Sequence, residues 1–101
     1  MAGLVPSTDP PIAYLKAAER ISAIVHTRRR EMGMSQEQLA ELTGLSRNQV
    51  QNIENNRNNT RDPKSGMPGP GNPRLDTVFR LAEALEISVV DLITDPEASK
   101  P

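Results

Sequence analysis

The chain has 101 residues with one tyrosine, one phenylalanine and no tryptophan, so we expect a single domain with a modest core of aliphatic side chains. The lack of cysteine and the single histidine exclude disulfides and thiolate metal sites and argue against zinc, and no apolar run approaches the roughly 18 residues that a membrane helix needs. The net charge of −1 is uneven: residues 16–74 carry ten basic and six acidic side chains (+4), whereas residues 75–101 carry two and six (−4), so one end of the molecule could face a polyanion.

A first helix is predicted to begin near Pro10 or Pro11, with Asp9 or a neighbour as its cap, and to run to about Met32. Gly33 is suited to end it, because glycine readily adopts the left-handed conformation just past a helix. One face of this helix carries the apolar side chains Leu15, Ala18, Ile21, Val25 and Met32.

Two short helices joined by a tight turn are predicted over residues 35–55. Ser35 caps the first of them, Gly44 ends it with a positive φ, and Ser46 caps the second. The same pattern places Gln38 in a capping box with Ser35, ends the second helix at Asn55 or Asn56, and buries Leu39, Ala40, Thr43, Val50 and Ile53.

Residues 57–72 are predicted to form a loop, because proline, glycine and asparagine dominate and no apolar period is present. A loop of this length in so small a domain is typically functional or disordered. A fourth helix follows, capped by Asn72 and starting at Pro73. Its apolar side chains are Leu75, Val78, Leu81, Ala82 and Leu85.

A short fifth helix is predicted from the Ser88 cap to Ile93, with Asp91 completing another capping box and Asp95–Pro96 stopping the helix. The predicted fold class is all-α, five helices with a long loop between the third and the fourth. The chain divides into a flexible N-terminal tail (1–10), one domain (11–94) and a C-terminal tail (95–101).

The segment SQEQLAELTGLSRNQVQNIEN, residues 35–55, resembles the helix-turn-helix of the lambda-repressor-like (XRE/Cro-type) DNA-binding family. The later segment LAEALEIS, residues 81–88, resembles that family's fourth and fifth helices, so the resemblance covers about residues 21–93. It implies that the third helix enters the major groove of DNA while the second abuts the backbone. The matching positions are Gln36, Leu39–Ala40, Gly44, Ser46, Val50 and Ile53–Asn55.

The resemblance assigns base reading to Arg47, Asn48 and Gln51, with Asn52 at a base or a phosphate. The side-chain chemistry agrees, because arginine suits the O6/N7 edge of guanine and asparagine or glutamine suits adenine, each worth ~1–3 kcal/mol of discrimination. The remaining family positions are backbone contacts at Gln36 (alternatively a brace for the third helix), Ser46 and Gln49, and a structural ion pair between Arg29 and Glu54.

Two features depart from the family pattern. Asn56 stands where the family usually has glycine, and the connection to the fourth helix is about a dozen residues longer than usual, a length often associated with function or disorder. This insertion brings Arg57, Arg61 and Lys64. It either contacts the DNA backbone beside the third helix or is an unattached surface loop.

We therefore expect a transcriptional regulator, a repressor, that binds double-stranded DNA as a homodimer on a nearly palindromic site. The first residues lack a secretory signal, so a cytoplasmic protein is expected, without membrane, cofactor or metal, and no arrangement of residues indicates an enzyme. One alternative is an antitoxin that binds both DNA and a toxin. Another is a protein-interaction module that has lost DNA binding and uses the acidic end or a surface of Met34, Leu42 and Leu45.

Overall fold

A computed structural model of the chain describes residues 10–58, 66–67, 69 and 71–94. These residues form helices and no strand, which confirms the predicted all-α class. The predicted Asp9 cap, the Asp95–Pro96 stop and the two tails, apart from Pro10, lie outside the described residues. The five helices are α1 (Ile12–Glu31), α2 (Gln36–Thr43), α3 (Arg47–Glu54), α4 (Leu75–Ala84) and α5 (Val89–Ile93).

The turns that separate α1, α2 and α3 follow the sequence signals. Ser35 Oγ accepts a hydrogen bond from the Gln38 amide at 3.1 Å, and Gln38 Oε1 accepts one from the Ser35 amide at 2.8 Å, so the predicted capping box is formed. Gly33 and Gly44 have φ angles of 71° and 73°, the left-handed conformation that glycine adopts without steric cost. The chain can therefore reverse direction at both ends of α2.

The core is contributed by all five helices, with α1 packing on α3 and α5, α2 on α3 and α4, and α4 on α5. The buried Thr43 has its hydroxyl 2.8 Å from the Leu39 carbonyl oxygen, so it adds no unpaired polar atom to the core. In the described part of the chain, no buried side-chain polar atom is left without a hydrogen bond. The core residues are Ile21, Val25, Leu39, Ala40, Val50, Ile53, Val78, Leu81, Ala82, Leu85 and Leu92.

The predicted starts of α1 and α4 were wrong by one or two residues. Pro11 precedes α1 without a side-chain cap, and α4 begins at Leu75 after the extended residue Arg74, which has a ψ angle of 155°. The predicted cap Asn72 does not fold over the start of α4, because its Oδ1 lies 3.0 Å from the hydroxyl of Tyr14 on α1. A tertiary contact therefore takes the group that the local pattern assigned to the cap.

Two further details of α4 and α5 differ from the prediction. Leu75 is 70% exposed, because the first turn of α4 lies at the edge of the core, where Thr77 is covered instead. At α5, Ser88 Oγ accepts a hydrogen bond from the Asp91 amide at 3.0 Å, but the described residues show no return bond from the Asp91 side chain. Aspartate is one methylene shorter than the glutamine that completes each of the other two boxes.

None of the helices in the described ranges has both the length and the apolar character needed to cross a membrane.

Candidate nucleic-acid interface

Helix α3 buries one face and leaves its polar face open. Val50 and Ile53 are buried, whereas Arg47 and Asn48 are exposed. Gln51 and Asn52 are half-buried at the flank of the same helix. The sequence-predicted base-reading residues therefore lie together on one short helix, with guanidinium and carboxamide groups at its surface. Such groups can donate and accept hydrogen bonds at the edges of bases.

The start of α3 is held by a second capping box. Ser46 Oγ accepts a hydrogen bond from the Gln49 amide at 3.0 Å, and Gln49 Oε1 accepts one from the Ser46 amide at 2.7 Å. The side chains of Ser46 and Gln49 thus define where α3 begins, and both residues are exposed. Their predicted contact with a nucleic-acid backbone stays a prediction.

The end of α3 is anchored to α1 through Glu54. Arg29 Nε and Nη2 donate to the two Glu54 carboxylate oxygens at 2.7 and 3.0 Å, so the expected ion pair is present as a two-point contact. Its side chains are 12% and 3% exposed. Burial by itself would raise the pKa of Glu54, but hydrogen bonds from Arg29, His26 and Gln36, together with the charge of Arg29, hold the pKa below its ordinary value.

Gln36 acts as a brace in this structure, the alternative role that the sequence left open for it. Its Nε2 donates to Glu54 Oε1 at 3.3 Å, which ties the start of α2 to the end of α3. Arg29 Nη1 also donates to the Met34 carbonyl oxygen at 2.7 Å. One guanidinium and one carboxylate therefore join α1, α2 and α3.

Sequence reasoning missed two residues of this anchor. The sequence pattern assigns no role to His26, yet its Nδ1 lies 2.9 Å from Glu54 Oε1. Ser22 Oγ donates to the Glu54 main-chain oxygen at 2.6 Å, which satisfies a carbonyl at the C-terminus of α3. Ser22, His26 and Arg29 are spaced i, i+4 and i+7, so they share one face of α1. That spacing opposite a predicted acidic partner could have identified them.

Arg57 lies beside α3, at the start of the insertion. Its Nε donates to Asn52 Oδ1 at 3.0 Å, so a guanidinium is placed directly next to a predicted base-reading carboxamide. Arg61 and Lys64, the other basic residues predicted at a nucleic-acid backbone, lie outside the described residues. At the other end of α3, Arg47 Nη1 is 3.7 Å from Glu37 Oε1, and both side chains are more than half exposed, so this pair contributes little to stability.

A cleft of about 180 Å³ separates α3 from the start of α4. The apolar residues Leu45 and Ile53 line it, and so do two arginines, Arg57 and Arg74, together with several carboxamide residues. Arg57 thus places a positive charge next to the polar face of α3, and Arg74 adds an exposed guanidinium that also pairs with Asp76 at 3.3 Å. The carboxamide residues that line it are Gln49, Asn52, Asn58 and Asn72.

Nothing in the described ranges forms a metal site, since no three His, Asp or Glu side chains come together there. The proposed interaction surface of Met34, Leu42 and Leu45 is smaller than expected. Met34 and Leu45 pack against the core, and Leu42 is the exposed member.

Comparison with known proteins points to one class of domain. A helix-turn-helix family model matches residues 25–64, which include α2, α3 and the last turns of α1. No functionally curated protein matches the chain.

Several solved structures share the fold. The restriction-modification controller protein C.AhdI from Aeromonas hydrophila is 29% identical, with a TM-score of 0.56 over 74% of this chain and 94% of that one. A hypothetical transcription factor, NHTF, from Neisseria is 24% identical, with a TM-score of 0.61 over 94% and 91%. The N-terminal DNA binding domain of SinR from Bacillus subtilis is 23% identical, with a TM-score of 0.60 over 77% and 96%. The last two similarities concern the fold alone.

Proposed function

We propose that the protein is a sequence-specific DNA-binding transcriptional regulator of the lambda-repressor-like type, with its helix-turn-helix within residues 25–64, and that it represses by occupying a promoter. In this proposal α3 is the recognition helix and lies in the major groove, while α2 lies across the backbone. The 29% identical controller protein C.AhdI supports a regulatory role for a chain of this kind.

The observation that supports the proposal most directly is the way α3 is held in the fold. Its start is capped by Ser46, its end is tied to α1 through Glu54, and its polar face is left uncovered. A helix that is rigidly held at both ends loses little further freedom when it binds, so its side chains can discriminate between bases at low entropic cost. Arg47, Asn48, Gln51 and Asn52 are the proposed base-reading residues.

Backbone contacts are proposed on both sides of the recognition helix. Gln36, Ser46 and Gln49 lie at the starts of α2 and α3, where helix N-terminal amides favour a phosphate. Arg57 lies at the opposite end, next to Asn52. Arg61 and Lys64 are assigned to the backbone from the sequence.

A homodimer is proposed because one helix of this length contacts too few base pairs for a unique site. Two copies related by a two-fold axis would place their recognition helices about 34–36 Å apart, one turn of DNA. The expected target is accordingly a nearly palindromic sequence of double-stranded DNA.

Selection of bound sequences from random duplex DNA tests the function directly. We expect a two-fold-symmetric motif with the wild-type protein and loss of that motif with R47A/Q51A, because each contact from a side chain to a base is worth ~1–3 kcal/mol. The matched control is K16A. Arg20, one turn further along α1, donates to the Asp91 carbonyl oxygen of α5, so Lys16 lies on the side of α1 near α5 rather than near α3.

The control should enrich the same motif as the wild type. If a folded wild-type protein enriched no sequence at low salt, the proposal would be wrong and a protein-interaction module would take its place. A small protein that co-purifies with the chain and changes its DNA affinity would assign the antitoxin role instead of a plain repressor.

A further inference from the structure

The two ends of the insertion between α3 and α4 are joined to each other. The Asn58 amide donates to the Gly69 carbonyl oxygen at 3.0 Å, and the Gly71 amide donates to Asn56 Oδ1 at 3.0 Å. Asn56 has a φ of 50°, a left-handed conformation that asparagine tolerates and that turns the chain out of α3. We call residues 56–58 together with 69, 71 and 72 the insertion base.

Tyr14 of α1 ties the insertion base to the helical domain. Its hydroxyl donates to the Gly71 carbonyl oxygen at 2.6 Å and lies 3.0 Å from Asn72 Oδ1. The helix-turn-helix family model matches residues 25–64. Tyr14 lies before that range, and Gly71 and Asn72 lie after it, so this contact joins two parts of the chain that the model does not cover. A tyrosine hydroxyl is protonated at neutral pH and can donate a hydrogen bond, and burial raises the pKa of Tyr14 further from that range.

The insertion base in turn forms one wall of the cleft beside α3. Asn58 and Asn72 line that cleft together with Arg57 and Arg74, and Arg57 is bonded to Asn52 on α3. Asn72 is thus contacted by Tyr14 on one side and borders the cleft on the other. A change at the Tyr14 hydroxyl can therefore reach the cleft lined by Arg57 and Arg74 through the insertion base, without a substitution on α3.

We propose that Tyr14 is a positioning residue for DNA binding, which fastens the insertion base to α1 and so holds Arg57 and Arg74 beside the recognition helix, where they contact the phosphate backbone. The inference rests on the proposed function. It assigns a role to the N-terminal part of α1 and makes the insertion base a fixed extension of the DNA-binding surface. Because the Tyr14 hydroxyl contacts Gly71 and Asn72 rather than a predicted base-reading residue, it affects affinity and leaves the base preference unchanged.

Y14F removes the hydroxyl and keeps the ring, and its first effect is measurable without DNA. Hydrogen exchange of the Asn58 and Gly71 amides in the free protein should be faster in Y14F by about tenfold, the change expected when an opening reaction becomes ~1.4 kcal/mol easier. T94V is the matched control, since it removes a hydroxyl that donates to the Val90 carbonyl oxygen at the end of α5. Unchanged exchange at Asn58 and Gly71 in Y14F would overturn the fastening role.

The second measurement is the salt dependence of binding to the selected duplex. Loss of one or two phosphate contacts in each subunit of the dimer should reduce the magnitude of the slope of log K against log salt by about 2–4 and weaken binding about 5- to 20-fold, while the selected motif stays the same. In an R57A/R74A background, adding Y14F should change affinity less than twofold, because the contacts that Tyr14 positions are already absent.

The outcomes separate the two claims. If the wild-type protein bound no duplex, the proposed function and the role of Tyr14 in DNA binding would fail together. If the wild type bound and Y14F had the same slope and affinity, only the role of Tyr14 would fail. If Y14F reduced the affinity for DNA equally in the wild type and in R57A/R74A, the role would also be overturned. Tyr14 would then affect binding by stabilising the fold and not by positioning the two arginines.

Discussion

At the scale of single residues, Glu54 carries the contacts that orient α3. Its carboxylate accepts hydrogen bonds from Arg29, His26 and Gln36, and its main-chain oxygen accepts one from Ser22. A buried charge of this kind is stabilising only when its partners are present, since an unpaired charge in the interior costs several kcal/mol. The orientation of α3 therefore depends on one carboxylate and on donors from two other helices.

We predict that E54Q lowers the free energy of unfolding by about 2–3 kcal/mol near neutral pH, because Arg29 is then left without its anion. The pKa of Glu54 is lower in the folded protein than in the unfolded chain. Its stabilisation is therefore complete above the unfolded-chain pKa, about 4.3, and is lost as the pH falls through the folded-state pKa. Urea unfolding should be measured for the wild type and E54Q from about pH 5.5 to about pH 3.5. The difference between their free energies of unfolding should become smaller toward the acid end.

E31Q is the matched control for this prediction. Glu31 pairs with Arg28 at 3.3 Å, and its side chain is 56% exposed, so we expect a change within about 0.5 kcal/mol. If the difference in free energy of unfolding between wild type and E54Q stayed constant down to the lowest pH, the effect could not be assigned to the charge of Glu54.

At the scale of the helices, α2 and α3 are each eight residues long and would be marginal in isolation. Each starts at a serine with a complete capping box, and each is packed by a few buried residues. The caps determine where these helices begin, and the packing determines how they cross. If α3 is the recognition helix, as proposed, we expect DNA binding to be more sensitive to the cap of α3 than to that of α2.

We predict that S46A and S35A each lower the free energy of unfolding by ~1 kcal/mol, because each removes one capping hydrogen bond. Only S46A should weaken DNA binding beyond this shared effect, by about 5- to 10-fold, because it loosens the first turn of the recognition helix and removes a proposed backbone contact. Chemical unfolding and titration with the selected duplex measure the two effects. Equal DNA affinities for the two variants would contradict this assignment.

At the scale of the whole molecule, charge and exposed apolar groups are segregated. The basic side chains Arg57 and Arg74 line the cleft beside α3, whereas residues 75–101 carry a net charge of −4. On α4, Leu75 and Phe79 are 70% and 55% exposed one turn apart, and Asp76 and Arg80 lie beside them. An acid and a base adjacent to an apolar pair form a surface that a second copy can match in antiparallel orientation.

We predict that the protein is a dimer at the concentrations at which it binds its selected site, and that L75S/F79S shifts it toward monomer. Removal of two apolar side chains from a two-fold interface acts twice, so dimerisation should weaken by at least about 100-fold. Sedimentation velocity measures the shift. V90S, a change at another exposed apolar residue, on α5, is the comparison. A wild-type monomer bound one per half-site, without cooperativity, would contradict the dimer.

The sequence by itself determined the five helices, the serine caps of α2, α3 and α5, and the resemblance of residues 35–55 to a helix-turn-helix. These features are local: Ser35, Gly44 and Ser46 act on amides and turns within a few residues, and the apolar spacing of α2 and α3 defines the buried face. The pairing of Arg29 with Glu54 was also foreseen, although through the family resemblance rather than through spacing. The four α3 residues proposed to read bases stay predictions from the sequence.

Tertiary structure alone decided the contacts between segments that are distant in the chain. His26 and Ser22 reach Glu54 about 30 residues away, and Tyr14 reaches Gly71 across 57 residues. Such contacts depend on how the helices cross, which no local pattern encodes. The same reason explains the start of α4 at Leu75, because Asn72 is held by α1 and is lost as a cap. Interactions within a few residues specified the helices, and the packing of the helices against one another specified the contacts around α3.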